Sequence, residues 1–206
     1  MQRFFPTLLA LALLATAALS ADAAGAAPPA SAAPAPLVVR SAGGSKSFAF
    51  AEKGGTVAVA LPSGERLVGE PAGEKRTYRR ASGGGAVYEV KPGESGFKVR
   101  TADGKLLWKV KLADDKIKVS DNQENRNPWS LKTKYDDKVK VVDASEKEVA
   151  EVKFYPDRTK VKDASGKELW ECGVAKRTAA FGVLALETIP EEQRAVLAAE
   201  ILARGR

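Results

Sequence analysis

The chain has 206 residues, 33 of them Lys or Arg and 26 Asp or Glu, for a formal net charge of +7 with no histidine. The lack of histidine removes the commonest general base near neutral pH, the commonest metal ligand and the usual nucleophilic triads. A single cysteine, Cys172, excludes an intrachain disulfide, so packing alone must hold the core.

The N-terminus has the layout of a secretory signal. Arg3 supplies a short positive region, and Phe4 to Leu19 form an apolar run of 16 residues interrupted by Pro6, Thr7 and Thr16. That run is short of the roughly 20 residues that span a bilayer as a helix. Small residues follow at Ser20, Ala21 and Ala23, suiting cleavage after about residue 23. We therefore expect a signal over 1–23 and an exported protein, periplasmic or extracellular, in a bacterial envelope. Residues 24–36 are rich in Ala and Pro and hold no large apolar side chain, which predicts an extended, disordered linker. The remaining residues, 37–206, are enough for one domain with a real core.

That domain is written as a repeat. Phe97-Lys98-Val99-Arg100-Thr101-Ala102-Asp103-Gly104-Lys105-Leu106-Leu107-Trp108 is echoed by Thr159-Lys160-Val161-Lys162-Asp163-Ala164-Ser165-Gly166-Lys167-Glu168-Leu169-Trp170. Diverged copies surround Glu146 and Gly64. Turn centres fall at Gly64, Gly83, Gly104, Glu124, Glu146 and Gly166, spaced 19 to 22 residues apart. Apolar and polar residues alternate before each turn, and Asp-Gly or Ser-Gly supplies the left-handed turn position. Six hairpins predict about twelve strands in an antiparallel meander. Gly43 and Gly44, between Val38-Val39 and Phe48/Phe50, mark a candidate seventh. A meander this long closes into a barrel more readily than it stays open.

The C-terminus changes character. Ala179 to Leu186 is a continuous apolar run. Thr188-Ile189-Pro190-Glu191-Glu192 then reads as a helix start, with Thr188 as cap and the helix running from Pro190 to about Ala203. Val196, Leu197, Ile201 and Leu202 form its apolar side. Gln193, Arg194, Glu200 and Arg204 form a polar one, so packing within the barrel and packing against it both stay open. About six hairpins followed by an apolar C-terminal segment resemble, over residues 55–203 and in architecture alone, the tubby-like family with its LURP-one-related and phospholipid-scramblase members. The resemblance implies a twelve-stranded antiparallel barrel around a hydrophobic C-terminal helix, with lipid or phosphoinositide binding. It carries over no individual site residue.

No motif commits the chain to catalysis, to a cofactor or to a metal. Ser95-Gly96-Phe97-Lys98, Ser120-Asp121-Asn122 and Lys132-Thr133-Lys134 follow the order of penicillin-recognising serine enzymes. Gly96 and the alternation after it predict turn and strand, however, where that chemistry needs a helix. Asp114-Asp115, Asp136-Asp137 and Asp121 with Glu124 lack calcium-loop spacing and read as solvated turns. Gly43-Gly44-Ser45-Lys46-Ser47 lacks the full phosphate-loop spacing and has no helix after it. Cys172 reads as a small core residue at the repeat position held by Val110. Trp108, Trp129 and Trp170 read as a core layer.

The basic residues are the informative set. Lys98, Arg100, Lys109, Lys111, Lys116, Lys118, Lys132, Lys134, Lys160 and Lys162 sit between apolar strand residues, as do Lys140 and Lys153. Alternation puts them on the outer face, with acids mainly in the turns. A basic wall attracts anionic lipid or envelope polymer. Aromatics do not interleave with it, which argues against single-stranded nucleic acid. The expected function is a non-enzymatic exported module binding an anionic membrane surface or envelope polymer, with a protein partner also compatible. The alternative is a carrier of a small apolar ligand or lipid inside the barrel.

Overall fold

The structure, a computed structural model, describes residues 35–206. The signal expected over 1–23 and the linker as far as residue 34 lie outside the described residues. Ala35 and Pro36 are exposed and irregular.

The strands are β1 (Leu37–Ser41), β2 (Ser47–Lys53), β3 (Thr56–Ala60), β4 (Arg66–Ala72), β5 (Lys75–Arg80), β6 (Ala86–Gly93) and β7 (Gly96–Thr101). They continue with β8 (Leu106–Leu112), β9 (Lys116–Ser120), β10 (Trp129–Lys134), β11 (Lys138–Val142), β12 (Glu148–Phe154), β13 (Thr159–Asp163) and β14 (Glu168–Cys172). Each pairs antiparallel with its neighbours in sequence, and β1 pairs with β14, with Val39 opposite Cys172, to close a barrel. The expectation of about twelve strands is thus corrected to fourteen. The Gly43/Gly44 hairpin is real, and its short flanking strands supply the extra pair that closes the sheet.

The meander gives the barrel two rims. The turn before each even-numbered strand, including those at Gly64, Gly104, Glu146 and Gly166, lies on the first rim. The others, including those at Asp114-Asp115 and Asp136-Asp137, lie on the second. The repeat copies share more than their turns. Register shifts at Tyr78/Arg79, Val99/Arg100, Val141/Val142 and Val161/Lys162 leave Val87, Leu107, Val149 and Leu169 as extra residues on the returning strands. All four are half-buried and pack on the core near the first rim. A bulge sharpens local twist, which helps a sheet to curl.

After β14 the chain enters the lumen from the second rim. A 3-10 helix (Ala180–Ala185) packs on β11, β12 and β13, and helix α1 (Glu191–Ala203) returns along β2 and β3. Arg194 to Ile201, eight residues in a row, are buried. Such a run covers every side of a 3.6-residue helix, so α1 is enclosed by the barrel. Val196, Leu197 and Ile201 are wholly inaccessible and meet inward residues such as Phe48, Val59 and Phe97 in one core. Each such burial contributes about 1.5–3 kcal/mol. Gly182 lets the 3-10 helix approach the wall, since a Cβ there would lie 2.9 Å from Val141 Cγ2 and 3.0 Å from Leu131 Cδ2.

The cap expected at Thr188 is not used. Pro190 occupies the N-cap position with φ −52° and ψ 140°, and no side chain caps the helix. Glu191 and Glu192 in the first turn complement the helix dipole instead. Among the described residues no helix is long and apolar enough to cross a membrane. On β7 to β9 the barrel is apolar inside with lysine outside, the reverse of a lipid-embedded barrel.

Candidate functional site

The ten cationic residues singled out above all lie on strands. Each alternates with inward residues such as Phe97, Val99, Trp108, Val110, Ile117, Val119, Leu131 and Val161. Lys98, Arg100, Lys109, Lys116, Lys118, Lys132, Lys160 and Lys162 are half-buried, their stems lying along the sheet, while Lys111 and Lys134 are exposed.

The register determines what each of them faces. Lys98 stands opposite both Lys91 and Lys109, and Lys111 opposite Lys118. Lys116 faces Lys132, Lys132 faces Lys140, and Lys134 faces Lys138. Lys153 lies between Lys138 and Lys160. Like charges directly opposite one another destabilise a sheet.

Acids relieve part of this on β10 to β14, where Lys134, Lys138 and Lys153 nonetheless have no carboxylate partner among the described residues. Lys140 faces Glu151 and ion-pairs with Glu148 at 2.6 Å. Lys160 ion-pairs with Glu168 at 2.6 Å and with Glu171 at 3.0 Å, and Lys162 faces Glu151. Lys132 pairs with the turn residue Glu146. By contrast, Lys91, Lys98, Lys109, Lys111, Lys116 and Lys118, on β6 to β9, have no carboxylate within ion-pair reach among the described residues. Lys109 donates instead to the Gln123 carbonyl, and Arg100 donates to the Gly104 carbonyl at 2.7 Å. The field of this quarter is felt at its border. The bond from Lys132 holds the Glu146 carboxyl below the usual carboxylate range, with Lys116 and Lys118 adding to the effect.

One hollow on this wall is lined by Lys91 and Arg100 with Glu74, Lys75 and Glu89, and another lies beside Lys111. The latter is a notch of about 300 Å3 with Gly96 in its floor and Glu94, Lys98, Lys109 and Lys111 around it. By register Gly96 takes the position opposite Lys111. A Cβ at Gly96 would lie 2.0 Å from the Val110 carbonyl oxygen, so the position admits no side chain.

A second polar cluster lies inside the lumen and was not read from sequence. Glu200 of α1 is wholly buried, yet its carboxylate accepts from Arg76 Nη1 at 2.6 Å, from the Tyr78 hydroxyl at 2.7 Å and from Arg204. Arg76 also donates to the Gly55 carbonyl at 3.0 Å. Arg204 lies over the Phe97 ring, 4.4 Å from its centroid. Burial, then the Glu200 charge, pushes the Tyr78 hydroxyl well above its ordinary value. Gly69 makes room for this pair, since a Cβ there would lie 2.6 Å from the Tyr78 ring and 2.7 Å from Arg76 Cδ. Towards the first rim, Arg80 bridges Glu65 and Glu192, and Trp108 Nε1 donates to Gln193 Oε1 at 2.7 Å. These contacts tie the helix to the wall at both ends. The available signal was Tyr78, the one large apolar side chain in the strand Lys-Arg-Thr-Tyr-Arg-Arg. Its alternation turns Arg76 and Arg80 inward with it.

The remaining sequence features are dispersed. Ser95 sits in the β6–β7 turn, Lys98 on the outer wall, and Ser120 is buried at the end of β9, where it donates to Asn125 Oδ1 at 2.7 Å. Trp108 and Trp170 are buried and Trp129 half-buried, its ring centroid 5.9 Å from that of Trp108. Cys172 is buried, and desolvation raises its thiol pKa. Asp114 and Asp136 border one hollow on the second rim, where Asp114 pairs with Arg206 at 3.1 Å, whereas Asp121 and Glu124 lie on the first rim. No three Asp, Glu or Cys side chains come together to hold a metal ion among the described residues.

No family model matches the chain. Comparison with curated proteins and with solved structures likewise returned no match.

Proposed function

We propose that the protein is an exported, non-catalytic binding module of the cell envelope that engages an anionic partner through the outer wall of β6 to β9. One observation carries this reading. Lys132, Lys140 and Lys160 on β10 to β13 each have a carboxylate partner, whereas Lys91, Lys98, Lys109, Lys111, Lys116 and Lys118 on β6 to β9 have none among the described residues, the one acid facing a cation there being Glu89 opposite Arg100. A wall needing only solubility would gain from the acid pairing used elsewhere, so the repulsion is retained for an external anion to relieve. Export rests on the Arg3 n-region and the apolar run after it.

The interior-carrier reading draws less support, because the 3-10 helix and α1 fill the lumen. The likeness to the tubby-like family is that of a barrel around a C-terminal helix. It is compatible with lipid as the anion and does not require it.

The test is retention of the purified protein by phosphatidylglycerol-containing vesicles and by soluble polyanions across a salt series. Binding should weaken steeply with salt and be lost in the variant Lys98→Glu, Lys109→Glu, Lys111→Glu, Lys118→Glu. Equal retention of that variant, or no retention of the native protein by any anionic partner, overturns the reading.

A further inference from the structure

The form of the basic quarter narrows the partner, given the anion-binding reading above. Its cations lie in rows that run across the strands, Lys91–Lys98–Lys109 in one and Lys111–Lys118 in the next. Adjacent strands are about 4.8 Å apart, so the charges along a row repeat at about the length of one pyranose unit in a glycan chain. A polymer bearing one carboxylate per sugar therefore carries its charges at a comparable density along the row. The rows also follow the curve of a closed barrel, so a flexible chain keeps contact along a row where a flat sheet of headgroups meets only its crest.

The notch supplies what a charged wall alone lacks. Its floor is Gly96, where no side chain is tolerated, and Lys98, Lys109 and Lys111 line it together with one acid, Glu94. At about 300 Å3 it has room for one sugar ring, and Ser95 at its edge offers a hydroxyl to the ring's own. Leu106, half-buried opposite Arg100, is the one apolar side chain facing out of β7 to β9, and no aromatic side chain does, which leaves little to enter a bilayer or to stack on a base.

We propose that the notch over Gly96 seats one uronate residue of an anionic glycan, with Lys98, Lys109 and Lys111 on its carboxylate and the two lysine rows carrying the chain onward. The test is titration of the full-length protein with polygalacturonate, its neutral methyl ester and phosphatidylglycerol vesicles. Polygalacturonate should bind and the ester should not. The triple variant Lys98→Ala, Lys109→Ala, Lys111→Ala should weaken polygalacturonate binding about tenfold or more. The control Lys134→Ala, Lys138→Ala, Lys153→Ala, equal in charge change, should weaken it by less than about twofold. All six positions face outward, and circular dichroism checks that each variant is folded. Vesicle binding without polygalacturonate binding overturns this inference and leaves the broader anion-binding reading standing. Equal losses in the two triple variants overturn the notch. Binding to none of the anionic probes overturns both proposals.

Discussion

The hydroxyl of Tyr78 donates to Glu200 Oε1 at 2.7 Å from a side chain with no solvent exposure to a carboxylate with none. With Arg76 and Arg204 on the same carboxylate, the helix is keyed to the wall by charge inside a mostly apolar lumen. Breaking a buried pair from one side costs more than the pair itself contributes, because the surviving charge stays desolvated. Glu200→Ala should therefore lose about 3 kcal/mol in urea unfolding. Replacing the whole cluster, Glu200→Leu with Arg76→Met and Tyr78→Phe, should recover most of that loss. A Glu200→Ala variant as stable as the native protein would mean the cluster does not key the helix.

The same pair sets an alkaline limit. The folded protein holds the Tyr78 proton well above the ordinary value of 10.0, so above that pH the unfolded chain loses a proton that the folded one keeps. The associated stability is complete below pH 10 and drains away as the pH rises further. Urea midpoints should fall on the alkaline side, and Tyr78→Phe should flatten that fall. Identical alkaline slopes for both proteins would count against it.

The uncompensated rows predict an inverted result. Lys98 stands between Lys91 and Lys109, so Lys98→Glu turns two repulsive cross-strand pairs attractive. It should raise stability by about 0.2–1 kcal/mol per pair while weakening anion binding. The gain should fade as salt is added. Destabilisation by Lys98→Glu at low salt would remove the repulsion argument.

Glu146 adopts φ 66° at the turn position where Gly104 has φ 90° and Gly166 has φ 87°. A left-handed conformation costs a non-glycine residue roughly 1–2 kcal/mol. Glu146→Gly should therefore stabilise the protein by about 1 kcal/mol, and it frees Lys132 from its ion pair. Thermal unfolding reports the first effect and vesicle or polymer binding the second.

Cys172 faces the core opposite Val39 on the closing strand, and its thiol is held above the usual range by desolvation. It should resist a thiol-specific reagent in the native state and react in full once the barrel is unfolded in guanidinium. Rapid native labelling would show that the seam opens.

Much of the fold was legible because its signals are local. Asp143 and Asp163 each accept from two backbone amides and a serine hydroxyl in their turns, so a short string of residues writes its own hairpin. Alternation sufficed to place Lys98, Lys109 and Lys118 outside. Which lysine faces which was not legible, since that depends on turn lengths and on the bulges beside Leu107, Val149 and Leu169. Nor was the buried cluster. Glu200 lies 122 residues from Tyr78 in sequence, and its partners on β5 sit in a strand with little apolar patterning. On the polar side of α1, which left its enclosure undecided, Gln193 and Glu200 bond to the barrel wall and Arg194 to the Leu184 carbonyl of the 3-10 helix.

The pairing of β1 with β14 sets the order in which this protein can be made. The seam joins Val39 to Cys172, and the residues that fill the lumen follow all fourteen strands along the chain. An unfilled cylinder would expose Phe48, Val59 and Leu131 to water on its inside, so closure and filling have to occur as one event. Contacts so distant in sequence form slowly, and the nascent polypeptide stays uncommitted until its final helix is available. If the protein is exported as proposed, that delay keeps the chain threadable through a translocation pore.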